Sequence, residues 1–319
     1  MNYNENINKI TKNMKSIALP NLNDVVLASL DLFIKNKPPR LHMSRFNLPL
    51  VVGSGNAYNT GLALFGNRPA IIASESNFKQ TLKNYQALIK DKMTTNALII
   101  SASGEKDSVW ETKLAKKYGL HTILMTCDGN SSAAKIADEV IVYRRLPEPY
   151  TYNTSTYLGM MLSASGEKAA DIKKFISKLR INNNFKDYRA FAFILPDKFS
   201  AIAPMLEIKG HELFGPRLSL RAFTYGEARH AKFIHPWNKE LVFSLGKNEY
   251  FGFKENRVEI ALPKNADIGL VMALTYYIVG LVQETKPPYF KKDVVGFCTD
   301  YGYKAYGQQK PFDIIVPGN

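Results

Sequence analysis

The chain has 319 residues, 45% hydrophobic and 22% charged, which describes a globular protein of about two domains rather than a disordered or fibrous one. No stretch reaches the ~20 unbroken apolar residues of a membrane helix, and the Asn- and Lys-rich start, Met1 to Met14, lacks the apolar core of a secretory signal. The formal net charge of +14 favours anionic partners without choosing among nucleic acid, a membrane surface and phosphorylated metabolites.

The two cysteines, Cys127 and Cys298, form no Cys-x-x-Cys pair. That argues against a disulfide scaffold or a zinc site and fits a reducing cytoplasm. The densest basic stretch, Glu167 to Arg189, carries seven Lys or Arg against three Asp or Glu. It reads as a solvated helix face and linker, and no nucleic-acid-binding motif accompanies it. Neither a nucleic acid nor a membrane is expected as partner.

In chain order, residues 22–36 repeat apolar side chains at three- and four-residue spacing and predict an amphipathic helix, stopped by Lys37-Pro38-Pro39. Strands are expected at Pro49–Gly53, Ala70–Ala73, Ala97–Ile100, Thr122–Met125 and Glu139–Tyr143. Helices are expected between them at Ala57–Phe65, Phe78–Ile89, Ser108–Tyr118 and Ser132–Ala137, then one long helix over Thr154–Leu179. Asn182-Asn183-Asn184 reads as a linker. A second round follows: strand Phe191–Leu195, helix Ala201–Phe214, strands Leu218–Phe223 and Glu240–Leu245, and a long buried helix over Ala266–Glu284. Such alternation predicts parallel sheets covered by helices on both faces, that is, tandem doubly wound, flavodoxin-like α/β domains. The expected division is an N-terminal helical segment over 1–45, a first domain over 46–181 and a second over 182–319.

In sheets of this kind ligands sit at the carboxyl ends of the strands. The loop Ser101-Ala102-Ser103-Gly104-Glu105-Lys106-Asp107-Ser108 follows a predicted strand and opens a predicted helix. Hydroxyls, backbone N–H groups and a helix N-terminus suit a phosphate there, and glycine lets its oxygens approach. A serine-capped helix without a ligand is the plain alternative. On this reasoning Ser101, Ser103, Lys106 and Ser108 are the expected phosphate-binding residues. Ser54 and Asn56 after the first strand, and Ser155 and Thr156 at the start of a helix, join them. Gly53-x-Gly55 begins a dinucleotide fingerprint, but Tyr58 stands where a third glycine or alanine is needed, so no nicotinamide cofactor is expected. Glu75, twenty residues past Gly55, is the one feature that favours such a cofactor. His211, His230 and His235 lack ligand spacing, and no metal is expected.

Residues 50–165 resemble the sugar-isomerase (SIS) domain found in the isomerase half of glucosamine-6-phosphate synthase. Five pieces match in order: Gly53 to Gly61, Ala73-Ser74-Glu75, Ser101 to Asp107, Ala115 to Gly119 together with Ser131 to Asp138, and Asn153 to Thr156. The second half resembles the second SIS domain of the same proteins through Glu207 to Glu212 and Gly226-Glu227-Ala228-Arg229-His230. The resemblance implies a sugar phosphate or aminosugar phosphate as ligand and puts Lys209, Glu212 and His230 on the family's catalytic lysine, glutamate and histidine. Aldose–ketose interconversion opens a ring, moves a proton and stabilises an enediolate, which a histidine, a carboxylate and a lysine can do. From spacing alone, Lys209 and Glu212 could equally be a helical ion pair worth roughly 0.2–0.5 kcal/mol.

The chain departs from the pattern at Ala102, where the family has Gln, and at Lys106, in a loop one residue shorter. Lys310 to Asn319 do not match the synthase's Ala-Lys-Ser tail, and no segment of the 319 residues matches its glutamine-hydrolysing domain, so a glucosamine-6-phosphate synthase is not expected. The expectation is therefore an isomerase, an aminosugar-phosphate deaminase or a deglycase, with a non-catalytic phosphosugar-binding regulator as the alternative. A homodimer is expected because the helices after residues 154 and 266 are apolar enough to need partners, although the helix at 22–36 could cover one of them.

Overall fold

The computed structural model describes residues 19–181, 184–286, 289–296 and 314–319. The start at Met1 to Met14, Asn182 and Asn183 of the expected linker, Cys298, and residues 310–313 lie outside the described residues.

The first sheet has five parallel strands in the order β2-β1-β3-β4-β5: β1 Leu50–Gly53, β2 Ile71–Ser74, β3 Asn96–Ile100, β4 His121–Thr126 and β5 Glu139–Val142. The central β3 is buried from Ala97 to Ile100, as a strand covered on both faces must be, whereas edge strand β5 is half-exposed. A two-stranded antiparallel pair, β6 Glu148–Pro149 with β11 Ile315–Val316, ties residues near the end of the chain to the first sheet's loops. The second sheet holds β7 Ala190–Leu195, β8 Ser219–Thr224, β9 Glu240–Ser244 and β10 Arg257–Glu259. Its order is β10-β9-β7-β8, also all parallel. It repeats the first four strands of the first sheet in topology, so the expected tandem α/β architecture is present. The short β10 has only three residues and no apolar run to announce it.

The helices are α1 Leu22–Lys35, α2 Asn56–Phe65, α3 Phe78–Asn84, α4 Gln86–Lys90, α5 Asp107–Lys117, α6 Thr154–Ser165, α7 Ala169–Ser177, α8 Ile202–Phe214, α9 Tyr225–Ala228, α10 Ile268–Thr285 and α11 Tyr289–Gly296. Three differ from the sequence expectation. The helix expected over Phe78–Ile89 breaks at Tyr85, with no glycine or proline to mark it. The one expected over Thr154–Leu179 breaks where Gly166 adopts a left-handed conformation (φ 74°) and ends α6. Residues 132–137 form turns rather than a regular helix, and their first N–H groups brace the neighbouring loop: Ala133 N–H donates to the Gly104 carbonyl and Ser132 N–H to the Glu105 carboxylate.

One apolar core runs through both halves. It includes Leu22 and Phe33 of α1, Met160 of α6, Ile172 of α7, Phe214 of α8 and Leu274 of α10. Helix α10 is long and apolar enough by composition to cross a membrane, but 14 of its 18 residues are buried inside the protein. Helix α1 covers it. Leu22 N–H donates to the Gln283 side chain at 2.8 Å, and Asn23 to Glu284 at 2.5 Å. The half-buried carboxylate of Glu167, just after α6, accepts from the N–H groups of Asp267 and Gly269 and so caps α10 from the other half of the chain. The apolar faces of α6 and α10 are thus covered within one chain, without a second copy.

Candidate functional site

Strands β1 and β3 are neighbours, so the loops that leave them meet at the carboxyl end of the first sheet. The Ser54 hydroxyl, after β1, lies 3.4 Å from the Asp107 carboxylate, which opens α5 after β3. Between them runs the serine loop. Its first hydroxyl, Ser101, accepts the Gly104 N–H at 3.1 Å, and its second, Ser103, accepts the Glu105 N–H at 3.3 Å. Each serine oxygen is therefore held by the backbone while its own hydrogen stays available for donation.

Two backbone conformations shape this loop. Gly104 sits at φ +66°, and a Cβ there would lie 2.0 Å from the Ser131 hydroxyl oxygen, so only glycine fits. Lys106 sits at φ 57°, ψ −122°, almost the same conformation as Gly55 at φ 54°, ψ −122°. Both residues immediately precede a helix, α5 and α2. A side chain in that conformation costs of order 1–3 kcal/mol, and such strain gathers at functional loops. The Lys106 ammonium lies 3.5 Å from the Tyr150 hydroxyl, and burial lowers its pKa.

The remaining expected phosphate residues occupy a deeper layer. Ser108 is buried, and its hydroxyl donates to the Glu105 carbonyl at 2.8 Å, closing the loop onto the helix. Ser155 is buried and donates to Glu148; Thr156 is buried and accepts from the Cys127 thiol at 3.3 Å. Asn56, the first residue of α2, is buried with its side-chain oxygen unpaired.

Sequence reasoning did not single out Glu148 or Glu111. Glu148 is buried and accepts the N–H groups of Thr154 at 2.8 Å and Ser155 at 3.0 Å, so a carboxylate sits on the positive end of α6. Burial still raises its pKa against those bonds. Glu111 is buried one turn beyond Asp107, and burial pushes its carboxyl up to about 8, with Asp107 and Glu75 adding repulsion. One local sign was available: the i,i+4 spacing of Asp107 and Glu111 sets two acids on one face of α5.

Lys209 and Glu212 come from α8 in the second half. Lys209 is fully buried and donates to the Glu212 carboxylate at 2.5 Å and to the Thr151 carbonyl. Its ammonium also lies 5.7 Å from the Tyr276 ring centre. The plain alternative, an exposed helical pair, is not what forms. Burial pushes the Glu212 carboxyl up more than the Lys209 ammonium pulls it down. The pair adjoins the segment from Glu148 to Thr156 that also carries Tyr150, the neighbour of Lys106.

His230 lies elsewhere. It is exposed and lines a cavity of about 1010 Å³ between the two halves, a cavity that neither Lys209 nor Glu212 lines. The structure gathers Ser54, Ser101, Ser103 and Lys106 at one end of the first sheet, and the Tyr150–Thr151 segment that meets Lys106 also accepts a bond from Lys209; His230 lies on the separate cavity.

No protein-family model matches the chain, and no curated protein matches it in sequence. Solved structures match its fold. A candidate phosphosugar isomerase from Clostridium difficile 630 aligns over 83% of this chain and 93% of its own, at 14% identity and a TM-score of 0.57. The C-terminal domain of glucosamine-fructose-6-phosphate aminotransferase from Francisella tularensis aligns over 83% and 94%, at 13% identity and a TM-score of 0.55. Glucosamine-6-phosphate deaminase from Thermotoga maritima aligns over 86% and 92%, at 15% identity and a TM-score of 0.51. With its two parallel sheets flanked by helices, the chain has an SIS-like fold.

Proposed function

We propose that the chain binds a sugar phosphate or aminosugar phosphate at the serine loop and moves a proton on the opened sugar, as an isomerase or an aminosugar-phosphate deaminase. The observation that carries this reading is the Lys209–Glu212 pair of the second half, bonded into the Thr151 loop of the first. The likeness to solved proteins named for phosphosugar isomerisation and glucosamine-6-phosphate deamination supports it at the level of fold.

The chemistry follows from the groups. Phosphate takes the hydroxyl hydrogens of Ser101 and Ser103, the positive end of α5 and the Lys106 ammonium. The Glu212 carboxylate, made more basic by burial, takes a proton from the carbon next to the carbonyl and returns it to the adjacent carbon. Lys209 offsets the negative charge that develops on the enediolate oxygen. Within one chain His230 opens on another cavity, so ring opening is not assigned to it here.

A non-catalytic regulator that binds the same ligand class is the second reading. Ala102 favours it, as do the hydroxyls of Ser108, Ser155 and Thr156, which are already bonded inside the protein. A set of hexose phosphates and aminohexose phosphates, read first by thermal shift and then by turnover, separates the readings. The enzyme reading expects one stabilising ligand to be converted. Stabilisation without conversion supports the regulator, and no stabilisation by any member contradicts both.

A further inference from the structure

Arg145 follows edge strand β5, at the same end of the first sheet as the serine loop. Its backbone is held fast: its N–H donates to the Asn319 side chain at 2.7 Å, and its carbonyl accepts the Asn319 N–H at 3.2 Å. Its side chain is half-buried and holds nothing. The Nε–H is buried without a partner, and among the described residues no hydrogen bond or ion pair reaches the guanidinium.

Buried polar groups normally find partners, so an orphaned arginine donor calls for an acceptor that the chain itself does not bring. The carboxylates at this end of the sheet are already served. Glu148 accepts the N–H groups of Thr154 and Ser155, Asp128 that of Asn130, Glu105 that of Ser132, and Asp107 the Trp110 indole N–H. None of them takes a bond from Arg145.

The neighbours of Arg145 lead back to the serine loop. Cys127, at the end of β4, donates its N–H to the Ala102 carbonyl at 3.1 Å and its thiol to Thr156 at 3.3 Å. Burial pushes that thiol up to about 11, opposed by the Thr156 bond and by the nearby Arg145 charge. The next residue, Leu146, donates its N–H to the Ser155 hydroxyl at 3.0 Å, so the arginine also adjoins the first turn of α6. Two strand spacings, roughly 10 Å, separate the ends of β3 and β5. A long side chain and a phosphate span that gap between them.

We propose that Arg145 is a phosphate-binding residue of the serine-loop site, reaching past the end of β4 to the phosphate on Ser101 and Ser103. A planar guanidinium meets two phosphate oxygens at once and stays charged. This inference rests on the phosphate reading of the serine loop.

The test is equilibrium dialysis of the full chain against radiolabelled inorganic phosphate, with a thermal melt of each protein. The variants are Arg145→Gln, Arg145→Lys and the double variant Ser101→Ala plus Ser103→Ala. Arg145→Gln should bind phosphate about ten-fold more weakly than wild type. Its melting midpoint should stay level or rise, because no protein group loses a partner. Arg145→Lys, which keeps the charge and loses the fork, should fall between the two in affinity. Binding by Arg145→Gln that matches wild type overturns the assignment, and weakened binding in the serine variant alone would then leave the serine loop standing. A lowered midpoint overturns it as well, by showing that the guanidinium holds the fold. Weakening in Arg145→Gln with none in the serine variant supports the arginine and counts against the serine loop. No phosphate bound by the wild type contradicts both.

Discussion

Lys209 and Thr151 are 58 residues apart in sequence, and the ammonium of the first donates a hydrogen bond to the carbonyl of the second. This bond draws helix α8 of one α/β unit against the loop that opens helix α6 of the other. Of a pair that could have been solvated on both sides, it holds the lysine fully buried and the glutamate half-buried. Removing one partner of a buried pair typically costs about 3–5 kcal/mol. Lys209→Met should therefore destabilise the chain by several kcal/mol in denaturant titration. A change under 1 kcal/mol would show that the pair is not buried.

Lys106 holds a backbone conformation that suits glycine, φ 57° and ψ −122°. Relief of about 1–3 kcal/mol of strain should outweigh the ~1 kcal/mol of extra chain entropy that glycine brings. Lys106→Gly is expected to raise the thermal midpoint while weakening sugar-phosphate binding about three- to ten-fold. A lower midpoint would refute the strain, and unchanged affinity would refute the role of the ammonium.

Glu148 satisfies two backbone donors at the start of α6 and the Ser155 hydroxyl, all buried. Glu148→Ala leaves those donors without a partner, at about 1–3 kcal/mol for each unsatisfied buried group. The expected outcome is a loss of at least about 2 kcal/mol in stability. Hydrogen exchange should rise first at Thr154 and Ser155. Unchanged protection there would contradict the assignment.

Glu111 gives a pH signature. Burial raises its folded pKa to about 8, from an ordinary value of 4.5. Below pH 4.5 both states hold the proton, and the group contributes nothing. Between 4.5 and about 8 the unfolded chain releases a proton that the folded chain keeps, so stability falls as pH rises, and it levels off beyond. Glu111→Gln should match the wild-type midpoint near pH 4 and exceed it by a few degrees near pH 8. Parallel curves for the two proteins would rule out an unusually raised carboxyl.

Most of the fold was legible in the sequence because it rests on strands buried on both faces. Runs such as Phe191–Leu195 and Ala97–Ile100 have no polar residue to hide them. Helix breaks were less legible. Gly166 could have marked one, but the turn at Tyr85 carries no local signature. The serine loop was legible from its strand–glycine–helix order. What could not be read were the long-range partners. Nothing near Lys209 announces Thr151, and nothing near Ser155 announces that its hydroxyl is spent on Glu148. The same limit applies to His230: its neighbourhood is set by Arg68 and the end of α2, 162 residues earlier than the histidine itself (230 − 68).

The most direct test of the proposed chemistry is Glu212→Gln, assayed with whichever sugar phosphate the wild type converts. The amide keeps the shape of the carboxylate and removes the base. Turnover should fall by about 10²- to 10⁴-fold, and the dissociation constant for the sugar phosphate should stay within about three-fold of wild type, because the proposed phosphate contacts lie in the serine loop. Turnover at the wild-type rate would show that Glu212 is not the proton-transfer group.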